Sequence, residues 1–108
     1  HSDTIDVENL FYLGGSHGGF LGGHLIAHEF DTPKGKRRFR AATLRNPVIN
    51  IASMANVTDI PDWCVTETNA DLSDLNKMRS MSPIAHIDEI KNTAVLLLIG
   101  DSDRRVPP

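Results

Sequence analysis

Apolar positions fall in short runs separated by polar stretches that carry proline and glycine. Residues 9–13 (NLFYL) are rich in aromatic and aliphatic side chains and stop at Gly14-Gly15, which predicts a buried strand. Over residues 18–30 the spacing turns helical, with Phe20, Leu21, Leu25, Ile26 and Ala27 supplying apolar faces. Glycine recurs there at every fourth position, as Gly14, Gly18 and Gly22 and again as Gly15, Gly19 and Gly23. An interior helical glycine costs about 1 kcal/mol against alanine, so the repetition predicts a helix whose backbone closely approaches a neighbouring sheet. Residues 31–40 (DTPKGKRRFR) read as a polar surface loop. Residues 41–44 predict a second strand, ended at Arg45-Asn46-Pro47 because proline steers the preceding residue away from the helical region.

Farther on, residues 49–54 and 59–65 predict short helical turns, the second with Asp59 as its cap and Pro61 in its first turn. A longer helix is expected over 71–80. Ser82-Pro83 opens another through residue 90, with serine as the N-cap and proline at the first helical position. The six apolar residues at 94–99 predict a parallel strand covered on both faces, and an acidic loop follows Gly100. The alternation indicates an α/β fold with a parallel sheet. Three strands would leave two unpaired edges, and the chain starts at His1 and stops at Pro108. It is therefore read as part of a larger domain.

Composition narrows this picture. At 108 residues, with 40% hydrophobic and 23% charged residues, the chain is globular and no larger than one domain. Its longest apolar run is too short to span a bilayer, and no segment near residue 1 has the pattern of a secretory signal. A net charge of −3 gives nucleic-acid binding no support, although five of eleven basic residues lie in 31–40. That run reads as a solvated loop. The single cysteine, Cys64, excludes an internal disulfide framework and a multi-cysteine zinc site. With no basic neighbour in sequence to lower its pKa, it is expected to be buried and structural. The sequon Asn56-Val57-Thr58 reads as coincidental.

The candidate chemistry lies at Gly14-Gly15-Ser16-His17-Gly18, which matches G-x-S-x-G between a predicted strand and a predicted helix. Such a turn lifts a serine hydroxyl clear of its surroundings. Its glycines avoid collision with the adjoining strand and helix. The His17 amide would then donate to an oxyanion, aided by the helix N-terminus. Phosphate-loop readings fail, because no G-x-G-x-x-G can be drawn and His24-Leu25 stand where lysine and serine or threonine are needed. In this arrangement the acid follows a later strand, and both Asp101 and Asp103 do so, with Arg104 and Arg105 near enough to keep a carboxylate ionised. The base should come after the acid, yet no histidine follows Asp103. His86 precedes it, His1 stands at the start, and His24 and His28 have a zinc-compatible spacing without the glutamate of H-E-x-x-H. No metal site is expected, and the base is expected beyond Pro108.

Gly14-Gly-Ser-His-Gly-Gly-Phe20, Arg45-Asn-Pro-Val-Ile-Asn-Ile-Ala-Ser-Met54, Thr58-Asp-Ile-Pro-Asp-Trp-Cys64, Ser82-Pro-Ile84 and Asp103-Arg-Arg-Val-Pro107 together resemble the acylaminoacyl-peptidases. These acylpeptide hydrolases are a branch of the prolyl oligopeptidase family of serine peptidases. The R-N-P-V-I-N and T-D-I-P-D-W-C blocks carry the specific part of the likeness. The resemblance implies a central segment of an α/β-hydrolase catalytic domain, which in the family follows a β-propeller. It implies removal of N-acylated, typically N-acetylated, amino acids from short peptides by a cytoplasmic enzyme, with no cofactor. It also implies Ser16 as nucleophile and, through the D-x-R-V-P match, Asp103 rather than Asp101 as the acid. An N-acylated peptide is the implied partner, with neither nucleic acid nor membrane, and a homo-oligomer is open to the whole enzyme. Residues 31–40 are longer, and residues 64–82 shorter, than the family pattern. Another peptidase or esterase of the family is the first alternative, and a non-catalytic interaction module the second. Residues 1–108 alone are expected to lack peptidase activity, since Ser16 has no base among them.

Overall fold

A computed structural model describes residues 4–108, so His1 lies outside the described residues. Three parallel strands form the main sheet in the order β1 (Phe11–Gly15), β4 (Ala41–Arg45), β5 (Ala94–Leu98). Their register sets Gly15 beside Arg45 and Arg45 beside Leu98, so all three strands end level with one another. The predicted first strand is thus shifted forward by two residues, and Gly14 and Gly15 lie inside it rather than after it. From its end the chain turns directly into α1 (His17–Ile26), which ends four residues earlier than the periodicity predicts.

The reading of residues 31–40 as a loop needs correction. They contribute to an antiparallel hairpin, β2 (Phe30–Thr32) and β3 (Gly35–Arg37). Gly35 takes φ 108° at its turn, a value that favours glycine, and Thr32 Oγ1 donates to the Gly35 carbonyl at 2.6 Å. The basic residues here are largely paired: Arg37 with Glu8 at 2.7 Å, Lys36 with Asp31 at 3.1 Å, Arg38 with Glu29 at 3.6 Å. Arg38 also donates to the carbonyls of Ala27 and Glu89.

Between β4 and β5 lie α2 (Ile51–Met54), α3 (Pro61–Thr68), α4 (Leu75–Ser80) and a 3-10 helix over Pro83–Glu89. Asn50 and Asp74 cap α2 and α4 by accepting from Ser53 and Lys77 amides. Two predicted caps fail. Ile60, not Asp59, precedes α3, because Asp59 is drawn into an ion pair with Arg105. Ser82 makes no cap bond. Fully buried, it instead ties two elements together, donating to the Met78 carbonyl at 2.6 Å and accepting from the Ile51 amide at 2.9 Å.

One apolar cluster joins Phe20, Val48, Ile51, Met54, Cys64 and Met78 beneath these helices. Fully burying a side chain such as Ile51 or Met78 stabilises the fold by about 1.5–3 kcal/mol. A second cluster, Ile26, Ala42 and Leu44 with Tyr12, Phe39, Ile49 and Ile90, glues α1 to one sheet face. The opposite face is bare: Phe11 and Leu13 are 70% and 78% exposed. β5, expected to be covered on both faces, is exposed along its whole length. No helix among the described residues is long and apolar enough to cross a membrane.

Candidate active site

Ser16 occupies the single residue between β1 and α1, with φ 56° and ψ −120°. For a non-glycine residue this is a rare and costly conformation, tolerated only where the surroundings impose it. Three backbone bonds do so. The Ser16 amide donates to the Arg45 carbonyl at 3.0 Å, and its carbonyl accepts from Phe20 and Val48, each at 3.2 Å. The Tyr12 hydroxyl adds a fourth tie across the turn, donating to the Gly18 carbonyl at 2.6 Å.

The glycines of the motif divide into two kinds. A Cβ on Gly14 would stand 2.6 Å from the Gly18 carbonyl oxygen, so a side chain there collides with the helix as expected. At Gly18 nothing lies within 4 Å, which corrects the expectation of collision at both flanks. Farther along α1, a Cβ on Gly19 would strike Pro47, on Gly22 the Tyr12 ring and Leu44, and on Gly23 Pro83. The predicted close approach to the sheet is therefore made at Gly22. His17 opens α1, and its amide belongs to the first turn, whose N–H groups have no partner within the helix.

Asp103 lies in the loop after β5 and lines the same cleft of about 530 Å³ as Ser16, together with Gly14, Gly15, Arg45 and Asn46. Its Oδ1 accepts from the amides of Arg105 at 2.9 Å and Val106 at 3.0 Å, which fixes the carboxylate on its own loop. Asp101 is exposed, accepts a bond from Ser102, and is absent from the Ser16 cleft; it lines a second recess with Thr58, Asp59 and Asp103 itself. The Arg105 guanidinium bonds Asp59 rather than the Asp103 carboxylate. It forms a bidentate pair with Asp59 at 3.0 and 3.1 Å and holds that carboxyl below its usual range. Thr58 Oγ1 donates to the Arg105 carbonyl and the Asp59 amide to that of Arg104, so the acid loop is sewn to the α2–α3 connection.

Sequence reasoning missed Asn46. It takes φ 39°, and its amide group both donates to the Gly100 carbonyl and accepts from the Gly100 amide, each at 3.3 Å. It thus bridges the end of β4 to the start of the acid loop. An asparagine just past a strand is the one available signal, since this residue type tolerates left-handed backbone. Glu67 was also missed, and bonds to His17 at 2.9 Å.

Of the remaining described histidines, His28 is exposed, and His24 and His86 have partners elsewhere. His24 Nε2 donates to the Met81 carbonyl, and burial pushes its pKa down. His86 lies 3.8 Å from Glu89. Among the described residues no cluster of three or more histidine, cysteine or acidic side chains could hold a metal ion. Cys64 is fully buried, as expected, and burial pushes its thiol pKa up.

Known proteins resemble this chain in sequence and in fold. Acylamino-acid-releasing enzymes of Rattus norvegicus and Arabidopsis thaliana are 49% and 47% identical to it, over 97% and 94% of the chain. The chain spans only 14% of the length of these curated relatives. Among solved structures, the uncomplexed acylaminoacyl peptidase of Pyrococcus horikoshii superimposes with a TM-score of 0.77 at 22% identity, over 97% of this chain and 16% of that one. An acylaminoacyl peptidase in complex with Z-Gly-Gly-Phe-chloromethyl ketone gives 0.78 over the same shares. These superpositions speak to fold, and the strands and helices described here form part of an α/β-hydrolase fold. A sequence profile of the prolyl oligopeptidase family matches residues 1–108, and the chain belongs to that family.

Proposed function

We propose that these residues are the central segment of the catalytic domain of an acylaminoacyl-peptidase, which removes N-acylated, typically N-acetylated, amino acids from the amino end of short peptides. The observation that carries this reading is the strained Ser16 turn sharing one cleft with the Asp103 carboxylate. Ser16 Oγ attacks the carbonyl of the acylated residue. The His17 amide donates to the oxyanion of the tetrahedral intermediate, and the N-terminus of α1 adds a favourable dipole. Collapse yields an acyl-enzyme that water then hydrolyses. Asp103 holds the base in the correct tautomer and stabilises it when charged. Its Oδ1 is already used by two backbone amides, so Oδ2 is the oxygen offered to the base. None of the described histidines lines the cleft that Ser16 shares with Asp103, which supports taking the base to be a histidine beyond Pro108.

The substrate is an N-acylated peptide and the compartment is the cytoplasm. Nucleic acid has no place in this reading, which the pairing of the basic hairpin residues supports. In the full-length enzyme, Ser16→Ala should abolish both turnover of an acetylated amino-acid anilide and labelling by a fluorophosphonate. Full turnover in that variant would overturn the assignment. A preference for unblocked over acetylated substrates would instead move the enzyme to another branch of the family or to the esterases.

A further inference from the structure

His17 is held by an element fifty residues away in sequence. Trp63 and Glu67 stand four positions apart on α3 and so share one face of that helix. The Glu67 carboxylate accepts from His17 Nε2 at 2.9 Å, and the Trp63 ring meets the imidazole edge-on at 5.7 Å. From within α1, Phe20 stacks on the same imidazole at 5.6 Å with the planes 14° apart. A half-exposed contact between two such side chains adds little to stability by itself. Three contacts on one ring act differently, because they leave it a single orientation and so constrain the Cα from which its amide hangs. That amide adjoins a serine whose φ of 56° has to be imposed from outside. Stabilisation of an oxyanion also depends on where the donor stands before the reaction begins.

We infer that Glu67 is a positioning residue for the elbow: with Trp63 it fixes the His17 ring, and through that ring the backbone amide following Ser16. The inference rests on the proposed roles of Ser16 and of the His17 amide. Glu67 acts through His17 and not on the substrate. Its carboxylate accepts a hydrogen bond, so the role calls for an acceptor and can be filled without a charge. Glutamine keeps such an oxygen, whereas methionine keeps the length and lacks it.

The full-length enzyme is the system for the test, with an acetylated amino-acid anilide as substrate and a fluorophosphonate to count active sites. Glu67→Met should lower kcat per labelled site about tenfold with KM nearly unchanged, less than the roughly 10²–10³ lost with an entire oxyanion donor. Glu67→Gln should recover most of that loss. In a His17→Ala background, Glu67→Met should add no further loss, because its effect passes through the missing ring. Unchanged kcat in Glu67→Met, a rise in KM alone, or a loss that adds to that of His17→Ala overturns the inference. If Glu67→Met does not fold, Glu67→Ala is read against the same outcomes. Wild-type turnover without labelling at Ser16 would show that the nucleophile reading has failed, separately from any result at Glu67.

Discussion

Ser16 and Asp103, the proposed nucleophile and acid, are fixed in two different ways. The serine is held by bonds that cross from β1 to β4 and α1, at a backbone cost of about 1–3 kcal/mol. The aspartate is held locally by two amides of its own loop. Both aspartates follow the same strand, but only Asp103 shares the Ser16 cleft. In the full-length enzyme, Asp103→Asn should therefore cut kcat by about 10⁴, the cost seen in serine proteases when an amide replaces this acid, with little change in KM. Asp101→Asn should leave most of the activity, and steady-state kinetics of the two variants checks the pair. The reverse pattern would transfer the acid's role to Asp101. The serine was legible in sequence because its motif is local. Asn46 and Glu67 were not, because each depends on a partner fifty or more positions away, Gly100 in one case and His17 in the other.

At the scale of elements, the glycines of α1 serve different ends. A Cβ at Gly22 would stand 2.3 Å from the Tyr12 ring and 2.8 Å from Leu44, so adding one means lifting the helix off the sheet. Gly22→Ala should destabilise by about 1–3 kcal/mol, the usual cost of overpacking. Gly18→Ala meets open space and should be neutral, or stabilising by at most about 1 kcal/mol through helix propensity. Melting temperatures of the two variants in the full-length enzyme separate these outcomes. Equal losses would show that α1 is not seated by its glycines. The three parallel strands and α1 could be read from the sequence because each is a run of one periodicity. The hairpin could not. Its strands are three residues each, too short for alternation to show, and its proline, glycine and charges outweigh them.

On the scale of the whole molecule, α1 covers one face of the sheet over β1 and β4, and on the other face Phe11, Leu13, Leu96 and Leu98 are exposed. Contiguous apolar surface of this kind favours association over a defined monomer. Residues 1–108 expressed alone should bind 8-anilinonaphthalene-1-sulfonate, give poorly dispersed amide resonances and lack a cooperative melt. A dispersed spectrum with a sharp transition would show that the α1 face alone suffices. The sequence anticipated the open edges from its strand count, but it could not show that β5 would be exposed on both faces, since six apolar residues look alike whether or not anything packs on them. The parallel register has a further consequence. Ser16, Asn46 and the Asp103 loop all emerge where the strands end, whereas the β2–β3 hairpin joins the end of α1 to the beginning of β4, at the other rim of the sheet. Drift in the length of residues 31–40 is thereby insulated from the proposed reaction centre. A lineage can add residues to that hairpin at a small loop-closure cost and leave the spacing between the proposed nucleophile and acid untouched.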